Sequence, residues 1–124
     1  MNEYSNIEYI DDVSDNQLTK LYSNAKMLVF PSFYEGFGLP PLEAMSCGCP
    51  VIISDIPVLR ELYENSALYI NPCSVENIKN AISNLLNDSN LSNSLVKRGL
   101  EQSKKYSWKK SANQIIHLIE DVSK

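Results

Sequence analysis

The sequence predicts an α/β fold: a mostly parallel sheet of about four strands, flanking helices and a helical C-terminus. Three observations predict it. The apolar runs Met27–Phe30, Val51–Ile53 and Ala67–Ile70 lack polar alternation, as expected of parallel strands covered on both faces. Helix-like segments separate these runs, which makes βα units. After residue 72 the apolar spacing is helical throughout. The chain therefore reads as one domain over 1–124, with βα units in 1–72 and helices in 73–124.

The elements follow in order. Ile7–Ile10 is a short strand candidate, and would be the fourth strand. Ser14 with Gln17 fits a capping box, and the helix it opens would bury Leu18, Leu21, Tyr22 and Ala25. Strand Met27–Phe30 ends at Pro31-Ser32, a pair that either only ends the strand or also lines a site. A short helix is expected from about Pro40 to Ser46, because proline suits a first helical turn. Cys47-Gly48-Cys49-Pro50 then turns the chain into Val51–Ile53. Val58–Tyr63 reads as another short helix, and Ala67–Ile70 as the last strand. Beyond it, Val75, Ile78, Ala81, Ile82, Leu85 and Leu86 share one helical face. A third stretch, Leu91–Lys104, lies before a second such face made by Trp108, Ala112, Ile115, Ile116, Ile119 and Val122.

Composition narrows the function classes. At 124 residues the chain has the size of one domain, with 44% apolar and 21% charged residues, ordinary for a soluble globular protein. A net charge of −4 without a long basic run argues against nucleic acid as a partner. No apolar stretch is long enough to span a bilayer. The start, Met1-Asn2-Glu3-Tyr4, lacks the basic and apolar segments of a signal peptide, so a cytoplasmic location is expected. Three cysteines, Cys47, Cys49 and Cys73, argue against a disulfide framework and read as small packed residues. Cys47-x-Cys49 has no second pair and His117, which reads as structural, is remote, so no metal site is expected.

The most informative stretch is Glu35-Gly36-Phe37-Gly38-Leu39-Pro40-Pro41-Leu42-Glu43, which directly follows the first apolar run. Glycines let the backbone approach a ligand closely. A strand, a glycine loop and a helix start in that order bring free amides and the positive end of a helix dipole to one point, which suits an anion. Ionised carboxylates on either side accept hydrogen bonds from sugar hydroxyls. Phosphate between two sets of hydroxyls describes a nucleotide sugar. Glu35 precedes the helix and lies nearer the reacting end, whereas Glu43 is expected in the helix's first turn, favoured there by the dipole. Phe33 and Tyr34 are candidates for stacking on a base or sugar, or for the core. Asp55 and Glu61 have no assignable role.

Residues Phe30 to Ser54, read with Ser14–Phe30 before them and Tyr106-Ser107-Trp108 after, resemble the signature of retaining group 1 glycosyltransferases. The resemblance implies the GT-B architecture of two facing Rossmann-like domains, and places this chain in the C-terminal half of the donor-binding one. It implies that Glu35 contacts hydroxyls of the transferred sugar, that the amides of Gly36, Phe37, Gly38 and Leu39 hold sugar and distal phosphate, and that Glu43 bonds the ribose. Glu35 is the residue implied at the catalytic centre, without being a nucleophile; the pair is not the flanking pair of a glycoside hydrolase. No cofactor is implied, the nucleotide-diphosphate sugar being the donor substrate.

Such enzymes carry about two more βα units at the N-terminal side of this domain, with an arginine and a lysine for the pyrophosphate, and a separate acceptor domain. By that resemblance the chain is an incomplete donor-binding domain of a longer enzyme. Acceptor glycan or glycolipid would be engaged by the absent N-terminal domain, and the isolated chain would be inactive or nearly so. Family members build surface polysaccharides and glycolipids, which implies a parent peripheral at the inner membrane face. The open edge beside Met27–Phe30 calls for a cover, either Ile7–Ile10 or a second copy in a homodimer. Two other readings remain: another GT-B enzyme such as a glycogen or sucrose synthase type, or a nucleotide-sugar epimerase; and a non-catalytic nucleotide-binding or partner module from a truncated gene.

Overall fold

The computed structural model describes residues 5–124. Its elements are α1 (Asp15–Asn24), β1 (Leu28–Phe30), α2 (Leu39–Ser46), β2 (Val51–Ser54), α3 (Pro57–Tyr63), β3 (Leu68–Ile70), α4 (Val75–Asn87), α5 (Ser89–Ser103) and α6 (Trp108–Val122). The expected α/β class with a helical C-terminus is observed. The strands form one parallel sheet in the order β1-β2-β3, with Val29 opposite Ile52 and Ile53 opposite Tyr69.

The period-two alternation of strand side chains divides the core into two layers. Val51 and Ile53 of β2 point to one face, where they meet Ala44 and Met45 of α2 and Leu59 and Tyr63 of α3. Ile52 points to the other, against Ala81 and Leu85 of α4 and Leu95 of α5. All four residues of β2 are buried, so continuous apolarity in this run reflects cover on both faces. Gly99 brings α5 close to α2: a Cβ there would lie 3.1 Å from Met45 Cγ.

Several expectations are corrected. The sheet has three strands rather than about four, because Ile7–Ile10 is irregular and unpaired; Ile7 and Tyr9 are 71% and 86% exposed. Among the described residues no strand lies beyond β1, so that edge of the sheet is open. The capping box at Ser14 forms, with its hydroxyl accepting from the Gln17 amide and the Gln17 side chain accepting from the Ser14 amide. Yet α1 buries no residue: Leu18 and Tyr22 are half-buried, while Leu21 and Ala25 are exposed. Propensity and capping formed this helix, but the described chain supplies only a narrow surface for its apolar side. Similarly, Val75 and Leu86 of α4 face outward, and of its predicted face only Ala81 and Leu85 reach full burial.

The final helix α6 forms at the predicted place, opened by Ser107, whose hydroxyl accepts from the Lys110 amide. None of its residues is buried. Trp108, Ile115, Ile116 and Ile119 make an apolar face that packs on nothing described. The turn before it is well anchored, since Tyr106 Oη donates to the Leu62 carbonyl at the end of α3.

Candidate functional site

Parallel strands end together, so the loops after β1 and β2 lie at the same, C-terminal edge of the sheet, where open α/β sheets bind ligands. The loop after β1 carries the glutamate-glycine stretch. Ser32, two residues past the strand, donates its hydroxyl to Glu35 Oε1 at 2.8 Å and lies 3.0 Å from the Tyr34 carbonyl. Half-buried Glu35 is thereby held by its own loop. Pro31-Ser32 therefore does more than end the strand. Phe33 and Tyr34 are 71% and 87% exposed, which excludes the core role and leaves both rings free on the loop.

Gly36 is exposed, with nothing within 4 Å of where a Cβ would stand. Gly38 is different. It is the N-cap of α2 in the left-handed region, with φ 76° and ψ 64°, and an added Cβ would meet Leu59 Cδ2 at 2.9 Å. Only glycine adopts that conformation without strain. The helix starts at Leu39, one residue earlier than the prolines suggested. Glu43 consequently falls beyond the first turn, and the expected contribution of the helix dipole to its charge is withdrawn: the first turn holds no acidic residue.

The prolines have a second effect. A helix leaves the amides of its N-cap and first three residues without internal partners. In α2 two of those positions are Pro40 and Pro41, which have no N–H, so Gly38 and Leu39 are the donors that remain there. Glu43 is exposed on α2, and Tyr22 of α1 donates its hydroxyl to Glu43 Oε2 at 3.3 Å. Burial first, and then the Glu43 charge, push the Tyr22 phenol up to about 12, so it stays a donor at neutral pH.

Beneath the loop, the fully buried Tyr63 of α3 donates its hydroxyl to the Gly38 carbonyl at 2.5 Å. Burial raises its pKa above the usual phenol range, opposed by the Leu42 amide and reinforced by Tyr106, Glu35 and Glu43. One phenol thus feels the charge of both glutamates. Phe37 meets Tyr106 edge to face, ring centres 5.5 Å apart. A groove of about 400 Å³ opens beside that pair, lined by Phe37, Leu39, Leu42, Tyr106 and Trp108.

All six predicted residues, Glu35, Gly36, Phe37, Gly38, Leu39 and Glu43, thus lie along one loop and helix start. Of the three residues that hold them, sequence reading left Ser32 open between ending the strand and lining the site, and it missed Tyr22 and Tyr63 in this role. Ser32 was legible in principle, because a serine three residues before a loop glutamate can reach it. The two tyrosines act from 21 and 25 residues away and leave no local sign. Cys49 is buried and Cys47 closes α2 as its C-cap, as packed cysteines do, but Cys73 is exposed. Asp55, at the end of β2, pairs with Arg60 at 2.7 Å instead of entering the site. No helix of the described residues is long and apolar enough to cross a membrane.

Comparison with known proteins identifies the family. Residues 3–102 match the family model of glycosyl transferases group 1. The chain is 42% identical over 111 residues to O-antigen chain mannosyltransferase B of Escherichia coli, covering 90% of this chain and 29% of that protein. It is 49% identical over 79 residues to O-antigen chain mannosyltransferase RfbU of Salmonella typhimurium, covering 64% of this chain and 22% of that one. The chain thus spans under a third of the length of these relatives. In structure it is similar to sucrose-phosphate synthase of Thermosynechococcus elongatus, a GT-B enzyme, with a TM-score of 0.84 and 32% identity over 93% of this chain and 30% of that one. By its sequence, its fold and the match to the family model, the chain belongs to the group 1 glycosyltransferases.

Proposed function

We propose that these residues form the donor-binding side of a retaining glycosyltransferase that takes a nucleotide-diphosphate sugar and transfers the sugar, mannose, to a hydroxyl of a growing polysaccharide. The arrangement at the start of α2 carries the reading. Glu35 precedes and Glu43 follows, along the chain, the helix start where the prolines have left only the Gly38 and Leu39 amides as donors. Carboxylates there accept from hydroxyls, and amides donate to phosphate oxygens. Glu35, held by Ser32, meets the transferred sugar. Gly36, Phe37, Gly38 and Leu39 offer amides to the sugar and distal phosphate. Glu43, held by Tyr22, takes the ribose. Mannose is the choice supported by relatives named as mannosyltransferases.

Catalysis in this reading is positioning of the donor and stabilisation of the leaving diphosphate. The described residues bring amides but no basic side chain to the start of α2. Donor binding by the chain alone is therefore weak, and transfer by it negligible. The acceptor glycan is engaged by residues outside these 124. The enzyme works in the cytoplasm, at the inner membrane face where such glycans are assembled, without cofactor or metal. A second copy can cover the open edge of β1; light scattering that finds only monomer at high concentration removes that part of the reading.

The test is an amide NMR titration with UDP-, GDP- and ADP-sugars up to millimolar concentration. Shifts confined to Gly36–Glu43, seen for one nucleotide and lost in Glu43→Ala, are expected. A flat titration from a folded sample refutes the donor site in this chain. Rapid sugar transfer by the pure chain refutes the division of labour.

A further inference from the structure

We infer that Tyr63 is a positioning residue for the donor's diphosphate, acting through the peptide unit that joins Gly38 to Leu39. The inference rests on the donor site proposed above and adds to it a residue of α3 that touches no ligand. A trans peptide holds its C=O and N–H in one plane, pointing in opposite directions. The Gly38 carbonyl and the Leu39 amide belong to the same unit. Tyr63 Oη, fully buried beneath the loop, donates to that carbonyl at 2.5 Å. Pinning the oxygen inward aims the Leu39 N–H outward, away from the core.

This matters more here than at most helix starts. With Pro40 and Pro41 in the next two positions, Leu39 is the sole residue of the first three in α2 that has an amide to offer. The phenol comes from a different element, so the peptide plane is tied to α3. The left-handed backbone at Gly38, wedged against Leu59 of the same α3, removes the remaining freedom. Helix α3 thus serves as the template on which the phosphate-facing turn is shaped.

Tyr63→Phe keeps the ring in the core and removes only the hydroxyl. The experiment compares wild type and Tyr63→Phe for binding of UDP, GDP and ADP, each against its own nucleoside. Loss of one hydrogen bond that orients a donor is expected to lower diphosphate affinity about three- to tenfold. Nucleoside affinity, which does not use the Leu39 amide, stays unchanged; a merely structural role would lower both alike. Equal losses, or no loss, overturn the inference while leaving the donor site standing. A second arm needs no variant. In wild type, the Leu39 amide resonance moves strongly with the preferred nucleoside diphosphate and little with the nucleoside. Movement of Gly36 and Phe37 with Leu39 silent rejects the role given to Tyr63. Absence of any shift between residues 36 and 43, for every nucleotide, rejects the donor site and the inference together.

Discussion

Replacing Gly38 by alanine separates a required glycine from a permitted one. Gly38 has φ 76°, where a side chain costs about 1–2 kcal/mol. Its new methyl would stand 2.9 Å from Leu59 Cδ2, and Leu59 is fully buried, so one of them must shift. Overpacking of this kind costs about 1–3 kcal/mol. The alanine also restricts the unfolded chain, which returns about 0.4–1 kcal/mol. The net expectation is a loss of about 1–4.5 kcal/mol, a large share of the stability of a marginal domain. Gly36→Ala is the control, because its Cβ enters open space and its φ is outside the left-handed range. It should change stability by less than about 0.5 kcal/mol. Urea unfolding followed by far-UV circular dichroism measures both, with an unchanged slope showing that the native state is comparable. Equal midpoints for Gly38→Ala and wild type would refute the geometry of the loop. A loss in Gly36→Ala as large as in Gly38→Ala would refute the distinction between the two glycines.

Other consequences are open to direct measurement. Tyr22→Phe removes the donor to Glu43 and should weaken binding of the preferred nucleotide about two- to fivefold, with no further loss when Glu43 is already alanine; additive losses would separate the two residues. Hydrogen bonding from Arg60, and then its charge, hold the Asp55 carboxyl below its ordinary range, so Arg60→Gln should move its NMR titration midpoint upward. Because the folded pKa is the lower one, what this pair adds to stability is present above the unfolded carboxylate pKa and fades as pH falls through the folded value; an unmoved midpoint in Arg60→Gln would contradict the pairing. Burial raises the Cys49 thiol above its ordinary pKa, whereas Cys73 is exposed. A thiol reagent at mildly alkaline pH should label Cys73 first and Cys49 only on unfolding; simultaneous labelling of the two would contradict the core assignment.

The three strands that formed were all legible as continuous apolar runs, although only β2 is buried at every position and β1 is half-buried throughout. Val51–Ile53 is apolar at every position because both layers press on it. Ile7–Ile10 shows the converse: alternation and β-branching make a strand candidate, but a strand exists only where a neighbour offers its hydrogen bonds. Helix α1 was legible from its cap, which is local chemistry, whereas its burial depended on what lies opposite. The site residues were legible for a related reason. Glycines, prolines and glutamates act here through backbone conformation and local spacing, and both are written along one segment. Their supports are not, because Tyr22 and Tyr63 reach the loop across folded space, and a tyrosine that packs looks no different in sequence from one that orients.

The carbonyl of Leu62 accepts from Gln102 Nε2 at 2.7 Å and from Tyr106 Oη at 3.1 Å, while the next residue, Tyr63, carries the hydroxyl under Gly38. Residues separated by some forty positions are thereby tied to the end of one short helix. A trimmed gene that stopped after β3 would keep every residue of the glutamate-glycine stretch, yet it would strip the tethers from α3 and uncover Met45 where Gly99 now rests. The smallest piece able to preserve the shape of the loop accordingly extends through Tyr106, and efforts to shorten the domain for crystallisation or screening should cut after that turn and not before it.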